Sequence, residues 1–395
     1  MKAAHALVLG IALVLPLPAT SVAAPVDVGY RDFSYGSGAS APTGQKPQSK
    51  LWFSDGRWWG ALFSTAADSY TVHELDWATQ TWTDTGVEID PRNSARLDVL
   101  WDGSSLYTAS AGTGTGGSDS AEIRRFSYSP AGGYSLDAGF PVSVTSGGME
   151  AGVFDKDTSG RLWFTYTGSN AVWVTHTTTD DLTWASPFVI PVIGANTLSS
   201  DDISAIVAYD GNVGVMWSNQ TDSTMYFATH VDGAPPNAWT VNPAVQLPEY
   251  ADDHMNLKSL QADAEGRVFA ATKTSLNAGS APLMLLLVLD GNGSWQRHTV
   301  ATVADDHTRP LVLIDQENRQ LYWLAAAPCC SGGVIYYKQT SLDNIDFAPG
   351  MGTPFIQSST DTTINNIAST KQALDSSTGL VAIAGDGSTV PDESR

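Results

Sequence analysis

Only two cysteines occur in 395 residues, and they are adjacent, Cys329 and Cys330 in APCCSGG. A chain of this length cannot be a disulfide-stapled scaffold on one such pair, and one pair is too few for a structural zinc site, so no metal is expected. Charge is scarce as well: Asp, Glu, Lys and Arg make up 15% of the residues, with 20 Lys and Arg against 41 Asp and Glu and a formal net charge of −21. That balance excludes a general attraction to nucleic acid or to anionic membrane surfaces, so any bound anion must be held locally. After the first 25 residues no apolar run approaches the roughly 18 residues that a membrane helix needs, and the domain is expected to be a monomer without a membrane partner.

The N-terminal stretch MKAAHALVLGIALVLPLPATSVAAP has a basic start, an apolar run from Ala6 to Leu17 and small residues near Ala23 or Ala24. It reads as a signal peptide over 1–23, which makes 24–395 a single secreted domain, extracellular or periplasmic. In such a compartment Cys329 and Cys330 are expected to close a vicinal disulfide, two reduced thiols being the alternative. Hydrophobic residues at 42%, with 36 Gly and 20 Pro, separate into short aromatic or β-branched runs between turn signals. This is the composition of an all-β protein.

A repeat organises those runs. Outer hairpins end on aromatics: TQTW at Trp82, GGY at Tyr134, DLTW at Trp184, PNAW at Trp239, NGSW at Trp295 and NIDF at Phe347. Their spacing of roughly 50 to 56 residues lies in the range of propellers and solenoids. One step back from Trp82 reaches Tyr30 in VGYRDF, giving seven units and a predicted seven-bladed β-propeller. Second strands follow Gly-containing turns, as in SDGRWWGALF and YDGNVGVMW, where Gly supplies a positive φ. The last unit starts as INNIASTKQALDSSTGLVAIAGD and then becomes polar. Val28 to Phe33 is therefore expected to complete that blade beside Gly379 to Asp386 and close the ring, a last blade of three strands being the alternative.

TTDDLTW (Thr178 to Trp184) and SLDNIDF (Ser341 to Phe347) resemble shortened Asp-boxes, the hairpins between third and fourth strands in the BNR-repeat propellers that include sialidases. Both copies lack the family's glycine, and no Arg-Ile-Pro segment of the sialidase type precedes them. The resemblance implies the architecture and leaves the substrate open, since Asp-boxes lie away from the active face. Fold and residue types are also similar to those of seven-bladed polysaccharide lyases.

The seven lead-ins to the inner strands carry ionisable or amide side chains where a strand would otherwise be apolar. They are Lys46 and Lys50, Arg96 and Asp98, Glu150, Asp202, His254 with Asn256 and Lys258, His307 with Arg309, and Asn366 with Lys371; Lys273 ends a second strand on the same face. The tetrapeptide ADDH occurs at 251–254 and again at 304–307, which is expected to set His254 and His307 side by side at the mouth of an axial funnel. Imidazoles flanked by carboxylates suit general acid and base work, and clustered cations suit a uronate carboxylate. The resulting expectation is an enzyme that cleaves an acidic polysaccharide or other anionic glycan by β-elimination. Its catalytic groups would be His254, His307, Arg309 and Lys258, the remaining residues binding substrate.

Two other functions stay open: a glycoside hydrolase using Asp98, Glu150 and Asp202 as paired carboxylates, and a non-catalytic glycan-binding propeller. The plainer alternative is that these groups pair with one another along a water-filled channel. No cofactor is expected. DKDTSG from Asp155 starts like a calcium loop, but Tyr166 stands where the bidentate acid belongs, so it reads as a turn, with calcium the alternative. GTGTGG from Gly112 leads into a strand pattern, not the helix that a dinucleotide loop requires.

Overall fold

The computed structural model describes residues 26–35, 39, 42–44, 46–113, 119–259, 265–330, 332–386 and 393–394. The segment 1–23 expected as a signal peptide and residues 114–118, which include most of GTGTGG, lie outside them. Among the described residues no helix is long and apolar enough to cross a membrane.

The turns show how locally the sheets are written. Asp55-Gly56 and Asp210-Gly211 take φ of 52° and 71°, and of 42° and 69°. Two consecutive positive φ values make the turn whose twist matches the flanking strands. The first joins Leu51–Ser54 to Arg57–Ser64, the second Ser204–Tyr209 to Asn212–Asn219. Each first strand continues by antiparallel neighbours outward, and six sheets of four or five strands result. Their inner strands are Leu51–Ser54, Arg96–Trp101, Gly152–Lys156, Ser204–Tyr209, Met255–Ser259 and Thr308–Asp315.

Apolar side chains fill the seams between neighbouring blades. Trp52 and Trp59 meet Leu97 and Val99 between blades one and two, and Met216 and Phe227 meet Met255 and Val268 between blades four and five. The last seam differs, because one cluster spans three sheets: Leu51 and Leu62 of blade one, Leu311 and Leu324 of blade six, and Ile364 and Ile383 of the sheet between them.

That intervening sheet corrects the predicted architecture. It has three strands, Ile364–Ala368, Ile383–Asp386 and Glu393–Ser394, so the ring has six complete blades and not seven. Most of SSTGLVAIA does not form the expected second strand. Leu374 leaves the blade to bridge Asp315, and Asp375 spends its carboxylate on the Ser377 and Thr378 amides in a turn. The predicted closure by the N-terminal strand is not shown: Val28 pairs with Gln357, just past the outer strand of blade six. Blade one is instead held by Ser369, whose carbonyl accepts from the Lys50 and Leu51 amides, and by Gln372, whose amide bonds both backbone groups of Phe53.

Six of the seven repeat aromatics, Trp82 to Phe347, do fall between the third strand and the outer edge of successive blades. Tyr30 does not. It is 63% exposed and belongs to no strand, so the periodicity counted one hairpin too many.

Candidate functional site at the funnel mouth

Every inner strand starts on one face, and the lead-ins bring their side chains to a common mouth. Lys46 reaches across the axis: its Nζ lies 2.8 Å from Glu150 Oε1 and also bonds Asp253 Oδ2. Asp253 Oδ1 is 2.6 Å from His254 Nδ1, and Asp252 Oδ1 is 2.5 Å from the same nitrogen. Lys273 Nζ completes the row at 3.1 Å from Asp252 Oδ2. Carboxyl oxygens of Glu150, Asp201 and Asp253 all lie within 4.8 Å of one another. This set, and the set Asp252, Asp253 and His254, are the oxygen-rich donors that a hard cation prefers, with Lys46 as the neutralising charge beside them.

Two further cations approach from the ring. Arg96 opens the inner strand of blade two and donates from Nη1 to the Glu150 carbonyl at 2.8 Å. Arg309 sits where the pairing of Thr308–Asp315 slips between Thr308 and Leu311, with a left-handed φ of 52°. Asn366 repeats this on the next sheet, at φ 53° within the irregularity between Asn365 and Ala368. Bulges of this kind re-aim a side chain, and here they act at matching positions of neighbouring sheets. The Nε of Arg96, the Nε of Arg309 and the Asn366 Oδ1 are buried without a protein partner among the described residues.

The predicted vicinal disulfide is present between Cys329 and Cys330. It follows the second strand of blade six, Gln320–Ala327, on the funnel face, and the Cys330 carbonyl accepts from Arg309 Nη1 and Asn365 Nδ2, each at 3.4 Å.

Proton affinities at the mouth diverge. Partial burial, reinforced by the charges of Asp253, Glu150 and Asp252, raises Asp201 above the ordinary carboxyl range. Burial would raise Asp253 too, but its hydrogen bond to His254 and the charges of His254 and Lys46 win and lower it. Burial would lower His254, yet the bonds to Asp252 and Asp253 prevail and raise it. The surroundings thus favour the charged form of His254 and the ionised form of Asp253, and the protonated form of Asp201.

One pH dependence follows from His254. Its folded value lies above its unfolded one, so the stabilisation is fully present below the unfolded pKa of about 6.5 and is lost as pH rises through the folded value. Thermal unfolding followed against pH should show an alkaline decline that is shallower in His254→Gln. Identical slopes would remove the ion pair from the account.

The other expected residues are placed elsewhere. His307 is fully buried in blade six, its Nε2 bonded to the Met351 carbonyl at 3.0 Å and its ring packed edge-on against Trp323 and Tyr336. Burial pushes it down to about 4. It does not stand beside His254. Asn256 staples blade five to blade six through the Val312 amide, and Asp202 accepts from the Ser199 amide of its own loop and from Gln220 in the turn after Asn212–Asn219.

Asp98, Lys50, Lys258 and Lys371 lie along the axis. Asp98 accepts from the Ser49 amide, the Phe154 amide and Lys371 Nζ at 2.7, 3.2 and 2.6 Å. Lys258 and Lys371 line a cavity of about 270 Å³ toward the far end of the inner strands, and Lys258 donates to the Thr370 carbonyl. Burial lowers Lys50 and Lys258 to about 7 each. The Asp155 turn is a turn: Asp157 Oδ1 accepts the Ser159 and Arg161 amides at 2.9 and 2.8 Å.

Of the expected binding and catalytic residues, the structure therefore gathers Lys46, Arg96, Glu150, His254, Lys273 and Arg309 at one mouth. The sequence reading missed Asp201 as a site residue and gave Asp252 and Asp253 only an orienting role. The available signal was the Asp-Asp pair that recurs at 201–202, 252–253 and 305–306.

No family model matches the chain, and no curated protein matches it in sequence. Among solved structures, a periplasmic gluconolactonase from Pseudomonas aeruginosa is 13% identical over 88% of each chain, with a TM-score of 0.49. A GH43 β-xylosidase/α-arabinofuranosidase from a compost microbial metagenome is 14% identical over 66% of this chain and 97% of its own, with a TM-score of 0.36. A sialidase from Streptococcus pneumoniae is 13% identical over 74% of this chain and 49% of its own, with a TM-score of 0.37. These are likenesses of shape, and the propeller assignment rests on the sheet order.

Proposed function

We propose that the chain is a glycoside hydrolase whose active site is the carboxyl cluster at the funnel mouth and whose substrate is a glycan bearing anionic groups. The observation that carries this reading is the close set Glu150, Asp201 and Asp253, with Asp201 shifted up and Asp253 shifted down. A carboxyl group inclined to keep its proton beside a fixed carboxylate suits a general acid, and a further carboxyl group within reach of it can act as the nucleophile.

Asp201 is solvent-facing and is assigned the acid that protonates the glycosidic oxygen. Glu150, whose side chain is 30% exposed, attacks the anomeric carbon as the C–O bond breaks and forms a glycosyl ester. Deprotonated Asp201 then takes a proton from the water that hydrolyses the ester. Asp253, locked by Lys46 and His254, supplies the fixed negative charge that keeps the proton on Asp201. Five cationic groups at the mouth (Lys46, Arg96, His254, Lys273 and Arg309) face four carboxyl groups, which favours an anionic substituent in an otherwise acidic protein.

Oxygens of Glu150 and Asp201 that come within 4.8 Å of one another are in keeping with the closely set pair of a retaining enzyme, whose carboxyl groups lie roughly 5–5.5 Å apart, and retention is the outcome proposed. Incubation with a panel of uronate-containing and neutral polysaccharides should therefore release reducing ends without the ultraviolet absorbance of an unsaturated uronate. Proton NMR of the first product should show the substrate's anomeric configuration. New absorbance would return the case to β-elimination, for which His307 is out of reach; binding without any cleavage would leave a glycan-binding propeller.

A further inference from the structure

On the face opposite the funnel, the seam between blade one and the three-stranded sheet carries an exposed groove. It consists of two hollows of about 730 and 260 Å³ that meet at Leu75 and at the step from Gly379 to Leu380. An aromatic side chain stands at each: Trp77, 58% exposed, and Tyr30, 63% exposed. Leaving an indole in water forgoes much of what a Trp gains on burial, so two such rings along one groove call for a ligand with a flat apolar face.

Trp77 is presented rigidly. It occupies the turn after the strand Ser69–Asp76, where Asp76 Oδ1 accepts the Ala78 and Thr79 amides at 2.8 and 3.2 Å and the Trp77 carbonyl accepts from Gln80. Its ring edge leans over Gly379, where a Cβ would come within 3.4 Å of the indole. Beside it the Arg57–Glu74 pair, at 2.9 Å and part-exposed on both sides, offers donors and acceptors to hydroxyl groups. Asp76 and Asp32 add negative charge along the floor, with Arg57 the cation among the lining residues of the first hollow. A polyanion would be repelled here, which separates this groove from the cationic funnel mouth.

We infer that this groove is an accessory binding site for a neutral polysaccharide chain, with sugar rings stacked on Trp77 and Tyr30 and their hydroxyls held by Arg57, Glu74 and Asp76. It does not depend on what the funnel cleaves, because binding is read without turnover.

Native electrophoresis in gels cast with hydroxyethylcellulose, with xylan or with polygalacturonate tests it. The protein should be retarded by at least one of the two neutral polymers. Trp77→Ala should weaken that retardation roughly ten-fold, and Tyr30→Ala should add to the loss. Thermal unfolding of both variants should match the parent. Retardation by neither neutral polymer, or equal retardation of parent and Trp77→Ala, overturns the inference. So does a change of oligomeric state in Trp77→Ala, measured by light scattering, since the groove would then be a contact between copies.

Discussion

Replacing Asp201 by Asn is expected to lower turnover by roughly two to four orders of magnitude, the usual contribution of a positioned acid, while leaving thermal unfolding unchanged. The carboxyl group is solvent-facing and staples no loop, unlike its neighbour Asp202, so the side chain can change without cost to the fold. Its raised proton affinity arises from partial burial and from Asp253, Glu150 and Asp252, and Asn preserves the shape but not the proton. The parent's activity should fall as pH rises through the Asp201 value, because the acid must be protonated, and that limb should vanish in Asp201→Asn. Substrate affinity should change little, since the arginines that hold the glycan remain. A variant with parental turnover would move the acid to another residue of the mouth.

The second large effect is on stability. Asp98 is fully buried and ties three parts of the ring together through the Ser49 amide, the Phe154 amide and Lys371. Asp98→Ala would leave two amides without their acceptor and the Lys371 ammonium without its counter-charge, with only the Phe154 carbonyl to receive it, on an axis where Lys50 and Lys258 also feel the lost charge. Breaking one side of a buried pair typically costs about 3–5 kcal/mol. Denaturant unfolding should show a lower midpoint at unchanged slope, with Asp98→Asn in between because it keeps an acceptor. A midpoint equal to the parent's would mean that water replaces the carboxylate along the channel.

The contrast between these two aspartates shows what the sequence could convey. Regular features were legible where a local rule repeats: the Asp-Gly turns at 55–56 and 210–211, and the aromatics from Trp82 to Phe347 that mark each outer hairpin. The same periodicity misled at Tyr30, which has the spacing without the hairpin. Face, by contrast, is decided by single-residue phase, and a shift of one residue turns a side chain to the other side. Asp201 and Asp202 are equivalent in composition, yet one faces the mouth and the other a loop.

The two ADDH copies make the point more sharply. In the first, Asp252 and Asp253 hold His254 at the mouth. In the second, a short turn over Val303–Asp305 spends Asp305 on the Thr302 amide and hydroxyl, Asp306 turns left-handed, and His307 rotates into the blade. The bulges that aim Arg309 and Asn366 likewise have no residue signature of their own; they exist because neighbouring strands pair out of step.

The closure of the ring by the Ser369 carbonyl, Gln372 and a shared apolar cluster, without chain continuity, has a consequence for how the molecule can be cut. The mouth is assembled from short, widely separated pieces of chain, and the strand that carries Asn366 shares its sheet with Glu393–Ser394. Joining the two ends and opening the chain at a turn on the opposite face, such as Asp210-Gly211, would leave every lead-in to the mouth uncut. The order in which the blades are synthesised is therefore free to change, whereas the loss of one blade would alter the circumference and every distance across it.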